Sequence, residues 1–201
     1  MIRVMLADDE NLIRSALAAL LALEDDLEVV AQAASGAEAL AMARAHTPDV
    51  AVLDLQMPDR DGISVAAELA TLLPGCAVVI VTGHGRAGHL KRALEAGVRG
   101  FLPKTVSAPV LTDVVRTVAA GGRYVDPELA AEAISAGDSP LTPREADVLE
   151  LAAGGAPVEE IAARAHLSPG TVRNHLSAAG AKLGAPNRHA AVEAARRHGW
   201  I

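Results

Sequence analysis

The first 120 residues set short apolar runs against helical patterns five times over, and that alternation leaves few folds open. Runs rich in Val, Ile or Leu fall at residues 2–7, 28–32, 49–54, 77–82 and 99–102. Helical patterns occupy 10–22, 35–45, 64–73, 86–96 and 107–120. Strands joined through helices pair in parallel, and a parallel sheet must be covered on both faces. Glycines at 36, 62, 75, 97 and 100 punctuate the connections. One Phe, one Tyr and one Trp in 201 residues suit helices on a sheet better than a β-sandwich. The expectation is a doubly wound α/β fold of five parallel strands, in order 2-1-3-4-5.

Gly121-Gly122 ends that region. A helical piece opening on Pro127 (residues 127–135) follows, then Ala136-Gly137-Asp138-Ser139-Pro140, which reads as a linker. Beyond it the strand signals stop. Thr142-Pro143-Arg144-Glu145 has the form of a capping box: the Thr142 hydroxyl reaches the Glu145 amide, the Glu145 carboxylate reaches back, and Pro143 takes the first helical position. Pro157, Ser168-Pro169 and Asn187 mark three more helix starts. The expected organisation is an α/β domain over 1–120, a linker with a short helix over 121–140, and an all-α domain over 141–201.

A single cysteine, Cys76, excludes a disulfide framework and points to a reducing compartment. The chain runs straight into a strand at Ile2, with no signal-peptide pattern. An uncharged stretch, Thr71 to Gly85, is broken by Pro74-Gly75 and is too short to span a bilayer. A cytoplasmic protein is expected.

Charge is distributed unevenly. The net value is −7, yet residues 164–201 hold six basic side chains against one acid, together with four histidines. Residues 124–163 hold nine acids and one base, and residues 1–123 hold 15 acids and 11 bases. A basic tail on an acidic body is the footprint of a small DNA-reading module.

Asp54 closes the apolar run Val50 to Leu53 and is followed by Leu55-Gln56-Met57-Pro58. A buried parallel strand delivers such a residue to the carboxyl edge of the sheet, where open α/β folds place their chemistry. Asp8 and Asp9 stand at the end of the first strand, which neighbours the third in the expected order. One acid at a strand end is an ordinary turn residue; three in one crevice are not. Like charges about 5 Å apart repel by roughly 3 kcal/mol per pair at an effective dielectric of 20. The cluster therefore calls for a cation, and hard oxygen donors favour Mg²⁺ (or Mn²⁺). Thr82 ends the fourth strand and Lys104 follows the fifth, adding a hydroxyl and an ammonium to the same rim. A carboxylate nucleophile, a metal and a cationic clamp make a site for forming an aspartyl phosphate. A Mg²⁺-dependent phosphohydrolase using Asp54 as nucleophile is the alternative. Against it, Gln56 stands where a dehalogenase-like phosphatase carries a second Asp. Gly83-His84-Gly85-Arg86-Ala87-Gly88 lacks the Gly-Lys-Ser/Thr ending of a phosphate loop.

These residues resemble the receiver domain of two-component response regulators, a flavodoxin-like fold. The resemblance covers residues 1–120 and is carried by Asp8-Asp9, Asp54, Met57-Pro58…Asp61-Gly62, Thr82 and Lys104, with the family's spacing of 22 positions between Thr82 and Lys104. It implies that Asp54 accepts phosphate from a sensor histidine kinase. It further implies Mg²⁺ held by Asp9, Asp54 and the Gln56 backbone carbonyl, with Asp8 contributing from behind. Thr82 and Lys104 would grip the phosphoryl oxygens, and Phe101 would be the switch aromatic. The family commonly has Pro after the Lys; here Pro103 precedes Lys104 and Thr105 follows. The only chemistry implied is phosphorylation and dephosphorylation of Asp54 itself, not an enzymatic turnover.

In the tail, Val172, Leu176, Ala179 and Leu183 recur at helical spacing and give residues 169–183 one apolar stripe. Opposite lie Gly170, Asn174, Ser177 and Ala181, with Arg173 on the flank. Small residues around Arg and Asn allow close approach to base edges, Arg pairing with guanine and Asn with adenine. Thr171, His175 and Lys182 on the other flank suit phosphates. The helix 157–165 and the turn Ala165-His166-Leu167-Ser168 complete a helix-turn-helix.

Residues 140–201 resemble the DNA-binding domain of the NarL/LuxR (FixJ) type regulators. The resemblance rests on Leu141 to Glu145, Val148-Leu149, Ile161-Ala162, Leu167-Ser168, Thr171 to His175, Lys182-Leu183-Gly184 and Asn187-Arg188. It implies that Arg173, Asn174 and Ser177 face bases, that Thr171, His175 and Lys182 hold the backbone, and that a last helix around Ala190 to Ala195 serves dimerisation. The combined expectation is a phosphorylation-activated transcription regulator that pairs as a homodimer on promoter DNA. A regulator acting through protein contacts without DNA stays open. A finer resemblance, on Gly88-His89-Leu90, Tyr124 to Leu129 and Gly199-Trp200, is to the subgroup regulating membrane-lipid desaturation.

Overall fold

Val50 to Asp54 is buried at every position, and so is Ala77 to Thr82; these two strands form the middle of the sheet. Strands covered on both faces cannot alternate polar with apolar, which is why they read as continuous apolar runs. The structure is a computed structural model that describes residues 1–83, 87–136 and 139–201, without the side chains of residues 87, 88 and 136. The linker residues Gly137 and Asp138, and His84-Gly85-Arg86 of the glycine-rich stretch, lie outside the described residues.

The strands are β1 (Ile2–Ala7), β2 (Leu27–Ala33), β3 (Val50–Asp54), β4 (Ala77–Thr82), β5 (Gly100–Pro103) and β6 (Tyr124–Val125). All pair in parallel, in the order β2-β1-β3-β4-β5-β6. The predicted order holds for the first five. The prediction of five strands is corrected to six: β6 extends the edge, Tyr124 donating to the Arg99 carbonyl (2.8 Å) and Asp126 to that of Phe101 (3.0 Å). Two residues are too few to show a period of two, so β6 left no signal. Gly121, at φ 88°, makes the turn out of the preceding helix in the left-handed region that disfavours a side chain.

Helices α1 (Asn11–Leu21), α2 (Gly36–His46), α3 (Gly62–Leu72), α4 (Ala87–Glu95) and α5 (Ala108–Ala119) alternate with the strands. Side chains alternate across the pleat and divide the core. Val4, Leu6, Val50, Val52, Val79 and Val81 meet Leu21 of α1 and Leu111, Val114, Val115 and Val118 of α5. Met5, Ala51, Leu53 and Ile80 point the other way and are buried as well, as are Ala39, Leu40 and Ala43 of α2 and Val65 and Leu69 of α3. This α/β unit ends near Pro127.

From residue 128 to 201 the described residues of the second compact unit form helices and turns without a strand. It contains α6 (Pro127–Ala136), α7 (Pro143–Leu151), α8 (Val158–Arg164), α9 (Pro169–Lys182) and α10 (Arg188–Arg197), with a 3₁₀ turn at Ala152–Gly154 that the sequence pattern did not show. Thr142 and Glu145 form the predicted capping box, and Ser168 and Asn187 cap α9 and α10 through Thr171 N and Ala190 N. Val172 and Ala179 of the predicted stripe are fully buried, Leu176 and Leu183 partly so. They join two small cores, one with Val148, Ala152 and Ile161, the other with Leu149, Val192 and Ala195. Among the described residues no helix is long and apolar enough to cross a membrane.

Glu145 is buried, and Lys182 Nζ lies 2.7 Å from its Oε2, fastening the end of α9 to the start of α7. Burial works to raise the Glu145 carboxyl, but the hydrogen bonds from Lys182 and Thr142 outweigh it and hold the group below its ordinary value of 4.5. A depressed carboxyl contributes stability above its unfolded pKa, and that contribution fades as pH falls through the folded one. Glu145→Gln is expected to cost about 1–2 kcal/mol at neutral pH. In denaturant titrations the gap between wild type and variant should narrow as pH falls below 4.5; a gap constant down to pH ~3 would contradict this account.

Candidate functional site

The register of β1 on β3 pairs Leu6 with Val52 and Ala7 with Leu53, so the next step along both strands brings Asp8 level with Asp54. The two carboxylates are buried, at 3% and 5% exposure, while Asp9 is exposed beside them. Ligand atoms of Asp8, Asp9 and Asp54 all lie within 4.8 Å of one another. The predicted triad is therefore one cluster of hard oxygen donors, the kind of set that suits Mg²⁺ or Mn²⁺.

Lys104 reaches the same point from the far side of β4. Its backbone N–H donates to the Thr82 carbonyl at 2.7 Å, carrying the β4–β5 pairing one residue past Pro103. Its Nζ lies 2.8 Å from Asp8 Oδ2, 3.0 Å from Glu10 Oε1 and 3.2 Å from Asp54 Oδ2. Burial alone would lower the Lys104 ammonium; the hydrogen bonds to Asp8 and Glu10 and the charges of Asp54 and Asp8 overcome it and hold the group protonated well above its ordinary value. Asp54 feels the opposite balance. Burial pushes its carboxyl up to about 7, Lys104 pulls it down, the Asp8 charge raises it, and the Gln56 backbone N–H lowers it. Thr82 closes β4 at 2% exposure, one position past Val81, which is the register partner of Asp54. Gln56 is exposed, and the Phe101 ring is buried at 1% exposure.

The loop after β3 is pinned from several sides. Gly62 N donates to the Leu55 carbonyl (3.0 Å), and Asp61 caps α3 through Ser64 N (2.6 Å). Asp59, at φ 66°, turns its carboxylate toward Ala37 N at the start of α2. Glu10 was not among the predicted residues; the acidic run Asp8-Asp9-Glu10 was its signal, but nothing in that run shows which acid turns toward a lysine 94 positions away.

In the helical unit, Gly170, Arg173, Asn174, Ser177 and Ala181 form one exposed face of α9. Thr171 and His175 are half-buried, and the Thr171 hydroxyl shares a hydrogen bond with Ser168 Oγ at 2.8 Å. Lys182 keeps part of its ammonium exposed beside Glu145. The turn between α8 and α9 passes through His166 at φ 53°, with Leu167 N donating to the Ala162 carbonyl (2.9 Å). Arg188 Nη1 holds the Ala156 carbonyl before α8 (2.9 Å).

Comparison with known proteins agrees with both halves. Residues 4–116 match the response regulator receiver domain, and residues 139–195 match the bacterial regulatory proteins of the luxR family. The chain is 38% identical over 201 residues to the transcriptional regulatory protein DesR of Bacillus subtilis. It is 43% identical over 202 residues to the transcriptional regulatory protein UhpA of Escherichia coli. Each of these alignments covers the whole of both chains. Relatives of different names match at similar identity, so the finer resemblance to desaturation regulators is not separated from the rest. Among solved structures, the response regulator ChrA of a heme-sensing two-component system is 35% identical, with a TM-score of 0.59, over 100% of this chain and 98% of that one.

Gly62 offers a direct test of how tightly the site is built. A Cβ there would run into the Asp54 carbonyl oxygen and crowd Ile80 Cδ1 at 3.1 Å. Gly62→Ala should therefore destabilise the α/β unit by about 1–3 kcal/mol in urea titrations. An unchanged midpoint would mean that the loop yields freely, contrary to the pinning described.

Proposed function

Because the chain belongs to the response regulators that join a receiver domain to a LuxR-type DNA-binding domain, we propose that Asp54 is the phosphoacceptor through which this transcription regulator is switched. The observation that carries the proposal is the placement of Lys104 Nζ 3.2 Å from a buried strand-end carboxylate, within a cluster of three acids. The phosphoryl donor is the phosphohistidine of a sensor kinase. An Asp54 carboxylate oxygen attacks phosphorus, the O–P bond forms as the P–N bond breaks, and the electron pair and a proton remain with the imidazole. Asp8, Asp9, Asp54 and the Gln56 backbone carbonyl would hold Mg²⁺ or Mn²⁺; the cation supplies positive charge against the carboxylates and the phosphoryl oxygens.

Lys104 neutralises charge on one side of the phosphoryl group, and the Thr82 hydroxyl takes another oxygen. Thr82 drawn toward the phosphate leaves room that the buried Phe101 ring can use, which is how charging of Asp54 alters the receiver surface. That surface then favours a homodimer, and the pair sets two copies of α9 on promoter DNA in the cytoplasm. Arg173, Asn174 and Ser177 read bases, while Thr171, His175 and Lys182 hold the phosphate backbone.

With a small-molecule phosphodonor and Mg²⁺, the full chain should take up one phosphoryl group and double in mass by light scattering. Asp54→Asn should abolish both, and Lys104→Ala should slow uptake by about tenfold or more. Steady turnover of small phosphoesters would instead favour a hydrolase. For the DNA step, Arg173→Ala and Asn174→Ala should each cost about 1–3 kcal/mol of base discrimination. Promoter binding that is intact in the double variant would point to a regulator that works through protein contacts.

A further inference from the structure

We propose that Glu159 is a specificity-determining residue for DNA: paired with Arg173, it favours docking on the correct base over docking on phosphates alone. The inference rests on the reading of α9 as the base-reading helix and adds a residue of α8 to it. Arg173 Nη2 lies 3.5 Å from Glu159 Oε1, with the side chains 62% and 70% exposed. Such a solvent-exposed pair contributes little to folding. It joins the first turn of α8 to the exposed face of α9, the face that carries Arg173, Asn174 and Ser177. The neighbouring acid Glu160 turns elsewhere, to Arg164 at 3.7 Å along its own helix.

The chemistry of the guanidinium gives this pair a consequence. Arginine has five N–H donors in a rigid fork, of which a guanine edge takes two. The Glu159 carboxylate can keep part of the rest, so pairing and base reading are compatible and the carboxylate fixes the orientation of the fork. Contact with a phosphate is different. There Arg173 must share its charge between two anions, and Glu159 is brought against the polyanion with its own charge uncompensated. Non-specific binding comes from just this exchange of phosphates for counterions. Glu159 therefore weakens the non-specific mode more than the specific one. In a chain of net charge −7, with basic residues concentrated at its end, a local acid beside the reading helix makes general attraction to DNA weaker still and leaves recognition to the base edges.

The test uses the full chain treated with phosphodonor, and two probes: a duplex enriched by the wild type from a randomised pool, and a mixed-sequence duplex of equal length. Both affinities are measured across a salt series for wild type, Glu159→Gln, Arg173→Ala and the double variant. Glu159→Gln should tighten mixed-sequence binding about three- to tenfold and steepen its salt dependence by about one unit. Affinity for the enriched duplex should rise less, so the ratio of the two should fall at least about threefold. In the Arg173→Ala background the same substitution should leave the ratio unchanged, the signature of a coupled pair. Equal changes on both duplexes, or an equal change of ratio with and without Arg173, would overturn the inference. A wild type that enriches no duplex fails at an earlier step and overturns the DNA reading together with it.

Discussion

Lys104 is the charge on which the α/β unit's chemistry depends. Asp8 and Asp54 are buried side by side because the β1–β3 register gives them no other place. Two carboxylates so close and so far from water repel each other and need a cation beside them. A single ammonium within 3.2 Å of both holds the arrangement charged in part. Burial is the larger influence, and it pushes the Asp54 carboxyl up to about 7 even with Lys104 beside it. On the proposed reading, a divalent ion at this cluster would supply the further positive charge.

The sheet supplies the precision that this charge balance requires. Asp54, Thr82 and Lys104 belong to separate stretches of chain, yet each is fixed by backbone pairing: Asp54 by its register with Val81, Lys104 by its bond to the Thr82 carbonyl. Backbone pairing sets where each of these side chains starts and so brings their polar ends to one edge of the sheet. The loop behind them is as constrained, with Gly62 packed where only a hydrogen fits against the Asp54 carbonyl. The helical unit solves a smaller problem differently. Its core is smaller, and it ties α9 to α7 with the Lys182–Glu145 pair and the segment before α8 to the start of α10 through Arg188.

What the sequence revealed, and what it hid, follows from the range of each interaction. Five strands were legible because burial on both faces makes them uniformly apolar, and Thr142, Ser168 and Asn187 were legible because a cap is a local event three residues long. Asp8, Asp9, Asp54, Thr82 and Lys104 could be grouped because strand order alone carries strand ends to one edge. The sixth strand was hidden by its length, Tyr124–Val125 being only a single repeat of the pleat. The pairings of Glu10, Glu145 and Glu159 were hidden for another reason. Each is an acid whose partner, Lys104, Lys182 or Arg173, lies far along the chain or across a turn. Nothing in a sequence distinguishes an acid paired over such a distance from a solvated one.

On the proposed reading, the charge distribution also explains why pairing is an effective switch. One copy presents a polyanion with a net charge of −7 and a modest basic tail, so its hold on DNA as a single unit is weak and short-ranged under physiological screening. Two linked copies turn the second contact into an intramolecular event, and affinity then grows by orders of magnitude without any new contact. An acidic body thus costs the monomer much and the pair little. Control of DNA binding can then reside in whatever controls pairing, which places it at Asp54 rather than in the helix that reads the bases.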